Sequence, residues 1–498
     1  MDRQRWMAAL GAVLMVTGGS FLSGCGGGGS STPPPVPNIQ NINSSTAPTS
    51  PVNLPIEING SGFQAAPGKV VFTQGSITAT VVPSTSGWSD TGIVAVVPAG
   101  NGTTNFTLPS TVSVTVVTSG GTSNAVTLNL IQTLIFNPSL MGWTTTMALP
   151  KATTGLRAVP VPGSTSSTAF AIVTGGYDGT ANTTTVWANN LNADGTVGSA
   201  TNTTWTTIIT NSLPDTRAHH AMAVADPTNS LVAASARFVY VIGGQKLSTD
   251  APGGTNTIFM ASVNPTTGAV GTWQTLTSTL PQQLVGMSAT VYNGFLYVAG
   301  GLTTGALPSA AVYSASINGD GTLGTWTTAA NALPTATAFG TMFSFGGKLY
   351  FINGDPNNST TPNAQGTGTA NVYFSNVSHG VVGTWTLNPN LTIKGRAKGI
   401  LFVAFGQVIA GEGIYNGSPG STEFERSTVN PDGTLASWNG LTGSQVPSAN
   451  VYNAGAFVSP LISSAQTPRF LLLGGQAFTA TTGPGGALSS TVHVNNAP

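Results

Sequence analysis

The sequence predicts an all-β protein in which a small β-sandwich precedes a six-bladed β-propeller. Between residues 38 and 131, short runs rich in Val, Ile and Thr alternate with turn residues and show no helical period, which is typical of a sandwich. From residue 136 onward one unit recurs, marked by Trp143, Trp205, Trp273, Trp326, Trp385 and Trp438. Units of 53 to 68 residues that each hold four short strands are typical of propeller blades.

The composition excludes several classes of protein. Only 6% of the 498 residues are charged, where a soluble domain carries about 25%, and the 14 Lys and Arg balance the 14 Asp and Glu. A neutral chain has no electrostatic basis for binding nucleic acid, so we expect no such partner. The single Cys excludes a disulfide framework and a thiolate metal cluster.

The N-terminus indicates export and lipidation. Arg3 and Arg5 precede a short apolar stretch, so residues 1–24 are predicted to be a signal peptide. Residues 22–25, Leu-Ser-Gly-Cys, resemble the lipobox of bacterial lipoproteins, which implies that Cys25 becomes the lipid-bearing first residue. The alternative is an ordinary signal peptide with a chance Cys. Because Gly26 is not Asp, the resemblance implies an outer-membrane or cell-surface location, with residues 25–37 as the lipidated Cys and a Gly/Ser/Pro tether.

Residues 38–131 are predicted to be an immunoglobulin-like sandwich and resemble the IPT/TIG family. The motifs that carry the resemblance are Gly-Ser-Gly-Phe at 60–63, an Ile/Val-rich run ending in Pro98, and Gly-Gly-Thr-Ser-Asn at 120–124. In that family such modules are mostly spacers or partners of other domains. The resemblance implies no catalytic residue.

The repeats of residues 136–498 resemble the kelch family. An apolar strand ends in Gly-Gly at 175–176, 243–244, 300–301 and 474–475, with relics at Asn353-Gly354 and Ala410-Gly411. The resemblance implies strands a to d in each blade, with Gly-Gly after strand b and the Trp on strand d packed between neighbouring blades. The last unit stops before a Trp strand, so the strand of Trp143 is expected to complete the last blade and close the ring.

The kelch connectivity implies that the d–a and b–c loops share one face, and this face receives many of the scarce charges. The candidate binding residues there are Arg157, Asp178, Asp215, Arg217, His219, Lys246, Asp355, Arg396 and Glu412. The resemblance places Arg157, Arg217 and Arg396 on the Arg that often opens strand a. The alternative is that these Arg side chains only satisfy loop carbonyls around the pore.

No catalytic, metal or cofactor site is predicted. His219 and His220 are adjacent on a strand and point to opposite faces, so they do not readily share a metal. Glu423 and Glu425 share a face but are expected on a solvated edge beside Arg426. Residues 319–324 spell G-x-G-x-x-G in a turn with no following helix, which fails the context of a dinucleotide site. Galactose-oxidase-like copper chemistry needs a propeller Cys, and the only Cys here is Cys25.

These observations predict an exported, lipid-anchored binding or scaffold protein without catalytic activity. Its partners would be the membrane, through Cys25, and an envelope protein or a glycan at the d–a/b–c face. Two alternatives stay open. One is a sialic-acid mutarotase-like isomerase that uses the polar channel mouth, and the other is a purely structural envelope component.

Overall fold

The computed structural model describes residues 33–45, 48–131, 142–199, 201, 203–205, 208, 210–247, 254–357, 368–404, 406–415, 424–430, 432–441, 451–461, 468–477 and 486–496. The predicted signal peptide, Cys25 and most of the predicted tether lie outside these residues. The described chain is all-β, as predicted, with one 3₁₀ turn at Thr85–Gly87. Within it, none of the helical structure is long and apolar enough for a membrane span.

Two sheets form the N-terminal sandwich, which packs around a single hydrophobic core. Its strands are β1 (Asn38–Ile42), β2 (Thr49–Pro51), β3 (Pro55–Ser61), β4 (Lys69–Gln74), β5 (Ile77–Val81), β6 (Gly92–Val96), β7 (Ser110–Thr118), β8 (Gly121–Thr122) and β9 (Val126–Ile131). One sheet has the order β1-β3-β6, and the other has the order β2-β9-β7-β4-β5 with β8 paired to β7. Alternate residues of β4 and β7, such as Phe72 and Val114, are fully buried, which is the period expected of strands with one buried face.

The following strands form six further sheets and two short two-stranded pairs. They are β10 (Gly142–Thr145), β11 (Arg157–Pro162), β12 (Ala169–Thr174), β13 (Val186–Leu191), β14 (Ala221–Ala225), β15 (Phe238–Ile242), β16 (Ile258–Ser262), β17 (Gln274–Thr275), β18 (Ser288–Tyr292), β19 (Phe295–Ala299), β20 (Val312–Ser316), β21 (Thr327–Thr328), β22 (Thr341–Phe345), β23 (Lys348–Ile352), β24 (Val372–Ser378), β25 (Val381–Val382), β26 (Thr386–Leu387), β27 (Arg396–Ala397), β28 (Ile400–Ala404), β29 (Gln407–Gly411), β30 (Ile414–Tyr415), β31 (Phe424–Thr428), β32 (Asn439–Leu441), β33 (Val451–Tyr452), β34 (Gly455–Val458), β35 (Phe470–Leu473), β36 (Gln476–Ala477) and β37 (Val492–Asn496).

Each of the six sheets is antiparallel. The strand named first for each sheet below is its first strand, which lies at one edge of the sheet. In chain order they are β11-β12-β13, β14-β15-β16-β17, β18-β19-β20-β21, β22-β23-β24 with β25 and β26, β28-β29-β31-β32, and β34-β35-β37-β10. Short pairs β27-β30 and β33-β36 extend the loops. In the sixth sheet Trp143 of β10 pairs with Asn495 of β37, so the earliest strand of this region joins the last one, as the phase of the repeat predicts.

The six first strands touch one another in cyclic order. Contacts run from β11 to β14, β18, β22, β28 and β34, and from β34 back to β11. The recurrent Trp side chains pack between successive sheets, as predicted. Trp273 of the second sheet lies in a cluster with Phe170 and Ile172 of the first sheet. Trp143 of the sixth sheet contacts Phe402 and Phe424 of the fifth sheet, with ring centroids 6.2 and 5.5 Å apart. A large aromatic surface is thereby removed from water at these junctions.

A closed circuit of backbone hydrogen bonds surrounds the axis. In each sheet, one residue of this circuit lies two positions before the start of the first strand. All six residues have left-handed backbone, with φ between 53° and 66°. They are Gly155, His219, Gly286, Phe339, Lys398 and Asn453. The N–H of each donates to the carbonyl of the preceding member over 2.7 to 3.2 Å, and the N–H of Gly155 donates to the carbonyl of Asn453. We call these six residues the axial ring, and we call the end of the sheets where they lie the ring face.

Two consecutive residues with left-handed backbone follow the second strand of each sheet. Their positions correct the assignment of the Gly-Gly motif in one sheet. The pairs are Gly175-Gly176, Gly243-Gly244, Gly300-Gly301, Asn353-Gly354, Glu412-Gly413 and Gly474-Gly475. In the fifth sheet the pair is therefore Glu412-Gly413 and not Ala410-Gly411, because Gly411 still pairs with Ile400 inside the sheet. Glu412 has φ +52° where four other sheets have Gly, a conformation that is costly for a residue with a Cβ.

The sandwich contacts the turns at the opposite end of the sheets through a buried carboxyl group. Glu57 on β3, whose side chain is 2% exposed, accepts hydrogen bonds from Asn293 Nδ2 in the β18–β19 turn and from Ser378 Oγ at 2.8 Å. The Nδ1 atom of His379 lies 3.9 Å from Glu57 Oε1. Burial raises the pKa of Glu57 to about 7, and the hydrogen bond from Ser378 opposes that rise.

This junction predicts that the stability contributed by Glu57 falls as pH rises. Because the folded state binds the Glu57 proton more tightly than the unfolded state, the free energy of unfolding of the wild type relative to the Glu57→Gln variant should be highest below pH 4.5. This difference should decline by about 3 kcal/mol as the pH rises to 7, and taking the difference removes the opposite contributions of His219 and His220, whose pKa values are lowered by burial. Urea unfolding across this pH range measures the effect.

Asp320→Asn is the matched control for the junction. Asp320 lies on an exposed turn and its pKa is lowered, chiefly by the hydrogen bond from the Thr322 side chain, so its titration falls below the window. A difference between the wild type and Glu57→Gln that stays constant between pH 4.5 and 7 would contradict the assignment to Glu57.

Candidate functional site

The six first strands enclose an axial channel. Its cavity has a volume of about 430 Å³ and extends from the axial ring along the strands to Pro160, Thr290, Phe343, Val403 and Val458. The walls are mostly small or apolar and include Met222, Met287 and Met342. Volumes of this size are in the range of small-molecule pockets.

Four side chains of the axial ring fill the channel mouth. His219 and Phe339 meet edge to face with ring centroids 5.9 Å apart, and Lys398 Nζ lies 4.8 Å from the centre of the Phe339 ring. The two ring glycines make room for these side chains, because a Cβ on Gly155 would lie 2.9 Å from His219 and a Cβ on Gly286 would lie 2.4 Å from Phe339. The sequence predicts a polar mouth, whereas the structure shows a mouth filled by aromatic and cationic side chains. We call the side chains of His219, Phe339, Lys398 and Asn453 the plug.

The plug is buried, and burial sets its charges. His219, Lys398 and Asn453 are each less than 5% exposed. Burial, together with the charges of Lys398 and Arg157, lowers the pKa of His219 well below its usual value, so the imidazole is neutral at pH 7. Burial also lowers the pKa of Lys398 to about 7, and the nearby Asp355 carboxylate opposes this shift. The adjacent His220 accepts or donates a hydrogen bond with Thr174 Oγ1 at 2.8 Å, away from His219, which agrees with the expected divergence of the pair.

The three candidate arginines do not occupy equivalent positions, which corrects the assignment made from the repeat. Arg217 and Arg396 each lie two residues before an axial-ring residue, Arg217 in a loop and Arg396 at the start of the short strand β27. Arg157 lies two residues after Gly155, is the first residue of β11 and lines the channel. The resemblance aligned Arg157 with the other two, but its side chain has a different environment.

Arg217 stabilises the loop that carries it. It is 1% exposed, donates to the Thr216 carbonyl at 2.6 Å and to Thr257 Oγ1 at 2.5 Å, and lies 4.4 Å from the centre of the Phe259 ring. Asp215 lies 3.4 Å from Arg217 and 2.8 Å from Lys246 Nζ. Burial would raise the pKa of Asp215, but the hydrogen bond from Lys246 and the charge of Arg217 lower it overall. These contacts favour the interpretation in which the Arg satisfies loop groups.

Arg396 forms a buried ion pair that sequence reasoning missed. Its guanidinium hydrogen-bonds to Glu425 of β31, and both side chains are 2% exposed. The Glu425 carboxylate also accepts the backbone N–H of Ile393 at 2.5 Å. The expectation of a solvated edge is therefore wrong for Glu425, which crosses from the fifth sheet to the loop that leads into it. Glu423 lies outside the described residues.

The remaining candidates are also engaged within the protein. Asp178 accepts the Lys151 ammonium at 2.5 Å and the backbone N–H groups of Thr180 and Ala181 at 2.9 Å, and the Lys151 hydrogen bond is the main reason that its pKa falls to about 2. Asp355 accepts the N–H of Asn357 at 2.9 Å and is 1% exposed, as is Glu412. The loop charges of the ring face thus act mainly as internal cross-links.

Apolar side chains on the same loops were not singled out from the sequence. Leu247, Leu307, Leu391 and Ile393 are 58%, 55%, 40% and 57% exposed. Leu247 and Leu307 follow the second strands of their sheets, and Leu391 and Ile393 precede the first strand of the fifth sheet. The sequence did contain a sign of these exposed side chains, because they are large aliphatic residues in segments otherwise rich in Gly, Thr and Pro. Across the described segments, no group of three or more His, Cys, Asp and Glu side chains is placed to hold a metal.

Comparisons with known proteins identify no family. No family model matches the chain, and no curated protein is significantly similar to it. Among solved structures, one titled "Structure of YjhT" is similar over 71% of this chain and 100% of its own, with 15% sequence identity and a TM-score of 0.46.

The buried pair predicts a large loss of stability when its acid is removed. In the Glu425→Gln variant the Arg396 guanidinium stays buried without a counter-charge, so the free energy of unfolding should fall by about 3 to 5 kcal/mol. Replacing both partners, as in Arg396→Met with Glu425→Leu, should recover much of that loss. Chemical denaturation of the three proteins measures the difference.

Lys246→Gln provides the comparison at an exposed pair. Because the side chains of Lys246 and its partner Asp215 are 45% and 40% exposed, the loss of the Lys246 charge should cost less than about 1 kcal/mol. Equal losses in Lys246→Gln and Glu425→Gln would show that the buried pair has no special role.

Proposed function

We propose that the protein is an exported, lipid-anchored binding protein in which a six-bladed kelch-like propeller on an immunoglobulin-like sandwich contacts a protein partner of the cell envelope. The proposed domains are residues 38–131 and 136–498, preceded by the signal peptide and the tether. Cyclic contact among six sheets, the closed axial ring and the Trp side chains between successive sheets support the propeller. Two sheets around one core support the sandwich.

The exposed aliphatic side chains of the ring face are the observation that supports a protein partner. Leu247, Leu307 and Ile393 are each more than half exposed on loops at this face. Charged side chains on the loops of the same face are already paired, as in Asp215 with Lys246 and Asp178 with Lys151. Exposed apolar side chains on a face with little free charge are typical of protein interfaces, whose centres are depleted in charged residues.

Two features favour binding over catalysis. His219 and Lys398, which stand at the channel mouth, are 3% and 4% exposed and pack on Phe339, so neither faces bulk solvent as an acid or base. The neighbouring Arg396 is held by Glu425. A general acid or base must reach the proton that it transfers, and these groups are turned inward.

Substitutions at the ring face test the partner. The Leu247→Asp, Leu307→Asp and Ile393→Asp variants place a charge on exposed side chains, so the fold should be unaffected while a protein cross-linked to the wild type in intact envelopes should be lost. Leu231→Asp is the matched control, since Leu231 is 51% exposed in the β14–β15 loop at the opposite end of the sheets. Loss in the control alone, or binding to a glycan array that all variants retain, would contradict the proposal.

The anchor has its own test. The Cys25→Ser variant should move from the membrane fraction to the soluble fraction and should not incorporate radiolabelled palmitate, because one Cys supplies the predicted lipid site. Ser23→Ala, which leaves that Cys in place, should remain membrane-bound. An unlabelled wild type, or label that persists in Cys25→Ser, would contradict the lipoprotein assignment.

A further inference from the structure

Arg157 brings a cation into the axial channel without an acid beside it. Its guanidinium donates one hydrogen bond, from Nη1 to the Leu156 carbonyl at 2.9 Å. Within the described residues the ion pairs of arginine are those of Arg217 with Asp215 and Arg396 with Glu425, and Arg157 forms none. Burial lowers its pKa to about 10, so it is still charged at pH 7. An enclosed charge without a counter-ion is unfavourable, and an anion in the channel would compensate it.

The other five sheets leave space at the level of Arg157. The first residues of their first strands are Ala221, Ser288, Thr341, Ile400 and Gly455, and most are small. A long cationic side chain therefore extends from one sheet toward a channel that the opposite sheets do not fill. Ala221, Ser288, Thr341 and Ile400 border the same cavity as Arg157.

A polar side chain of the plug also faces this cavity. Asn453 is 2% exposed and lines the channel, and neither its Oδ1 nor its Nδ2 has a hydrogen-bond partner. A buried amide usually satisfies both atoms, so Asn453 has a donor and an acceptor to offer to a molecule in the channel. Lys398 is beside the Asp355 carboxylate, which leaves Arg157 as the cation that an anionic ligand would meet.

Below Arg157 the channel turns apolar. Val159, Ala289, Phe343 and Val458 line it together with the thioethers of Met222, Met287 and Met342. Methionine adapts to irregular shapes and contacts aromatic rings favourably. A cationic group at one end of an apolar cavity of about 430 Å³ suits a small molecule with one anionic group and an apolar body.

We propose that the axial channel binds a small organic monocarboxylate, with its carboxylate on Arg157 and Asn453 and its apolar body along the Met-lined wall. Arg and a carboxylate form paired, parallel hydrogen bonds, and the Asn453 amide N–H supplies a further donor. This site lies inside the channel and is separate from the exposed side chains of the ring face. Its failure and that of the protein-partner proposal are therefore distinguishable.

Titration of the full chain in lipid nanodiscs tests the proposal, with 3-phenylpropionate as the probe and its uncharged amide as the comparison. We expect the acid to bind at least tenfold more tightly than the amide. Arg157→Gln should abolish that preference, and Arg157→Lys should retain part of it. Lys151→Gln, at a side chain that is 57% exposed, should leave binding unchanged.

Four outcomes would overturn the proposal. They are the absence of binding at millimolar acid, equal binding of acid and amide, unchanged binding in Arg157→Gln, and equally tight binding of inorganic phosphate, which would indicate a simple anion site. The thermal midpoint of each variant shows whether it is folded. If Arg157→Gln does not fold, Asn453→Ala supplies the second test and should weaken binding of the acid at least threefold.

Discussion

The axial ring is the constraint on which the rest of the structure depends. Each of its N–H groups needs the carbonyl of the preceding sheet, so the circuit closes only when every sheet is present and in order. The left-handed backbone of its members turns the chain from a loop into a first strand and aims the ring side chains at the axis. Where two of the members are glycines, the space that they leave is filled by His219 and Phe339 from the next sheets. The plug is therefore a consequence of closure.

The sequence predicted the features that repeat as residue types. Trp143, Trp273 and Trp438 recur because each must fill the same gap between sheets, and Gly-Gly recurs because the chain turns there with positive φ. The axial ring escaped prediction because its conformation is imposed by hydrogen bonds and not by residue type. Gly, His, Phe, Lys and Asn all occupy it, although Phe and Lys do not favour that backbone.

The candidate site was harder to predict than the fold because it depends on single-residue register. Arg157 lies two residues after a member of the axial ring and lines the channel. Arg217 and Arg396 lie two residues before a member of the ring and bind groups of the loops. Likewise, the position of Glu412 follows from the pairing of Gly411 with Ile400 and not from the Ala-Gly spelling. Glu425 was expected on a solvated edge because Arg426 is adjacent. Its partner, Arg396, is 29 residues away in sequence, and no local pattern reveals it.

Many of the few charged side chains form contacts within the protein. Several charges stabilise loops, as do those of Glu425, Arg396 and Arg217. Glu57 instead joins the sandwich to the turns at the end opposite the axial ring. Because the sandwich contacts that end through Glu57, Ser45 and Pro55, the loops of the ring face are left for other contacts. A partner there would meet aliphatic side chains whose neighbouring charges are already neutralised. Binding would then require little desolvation of charge, and its strength should depend only weakly on salt.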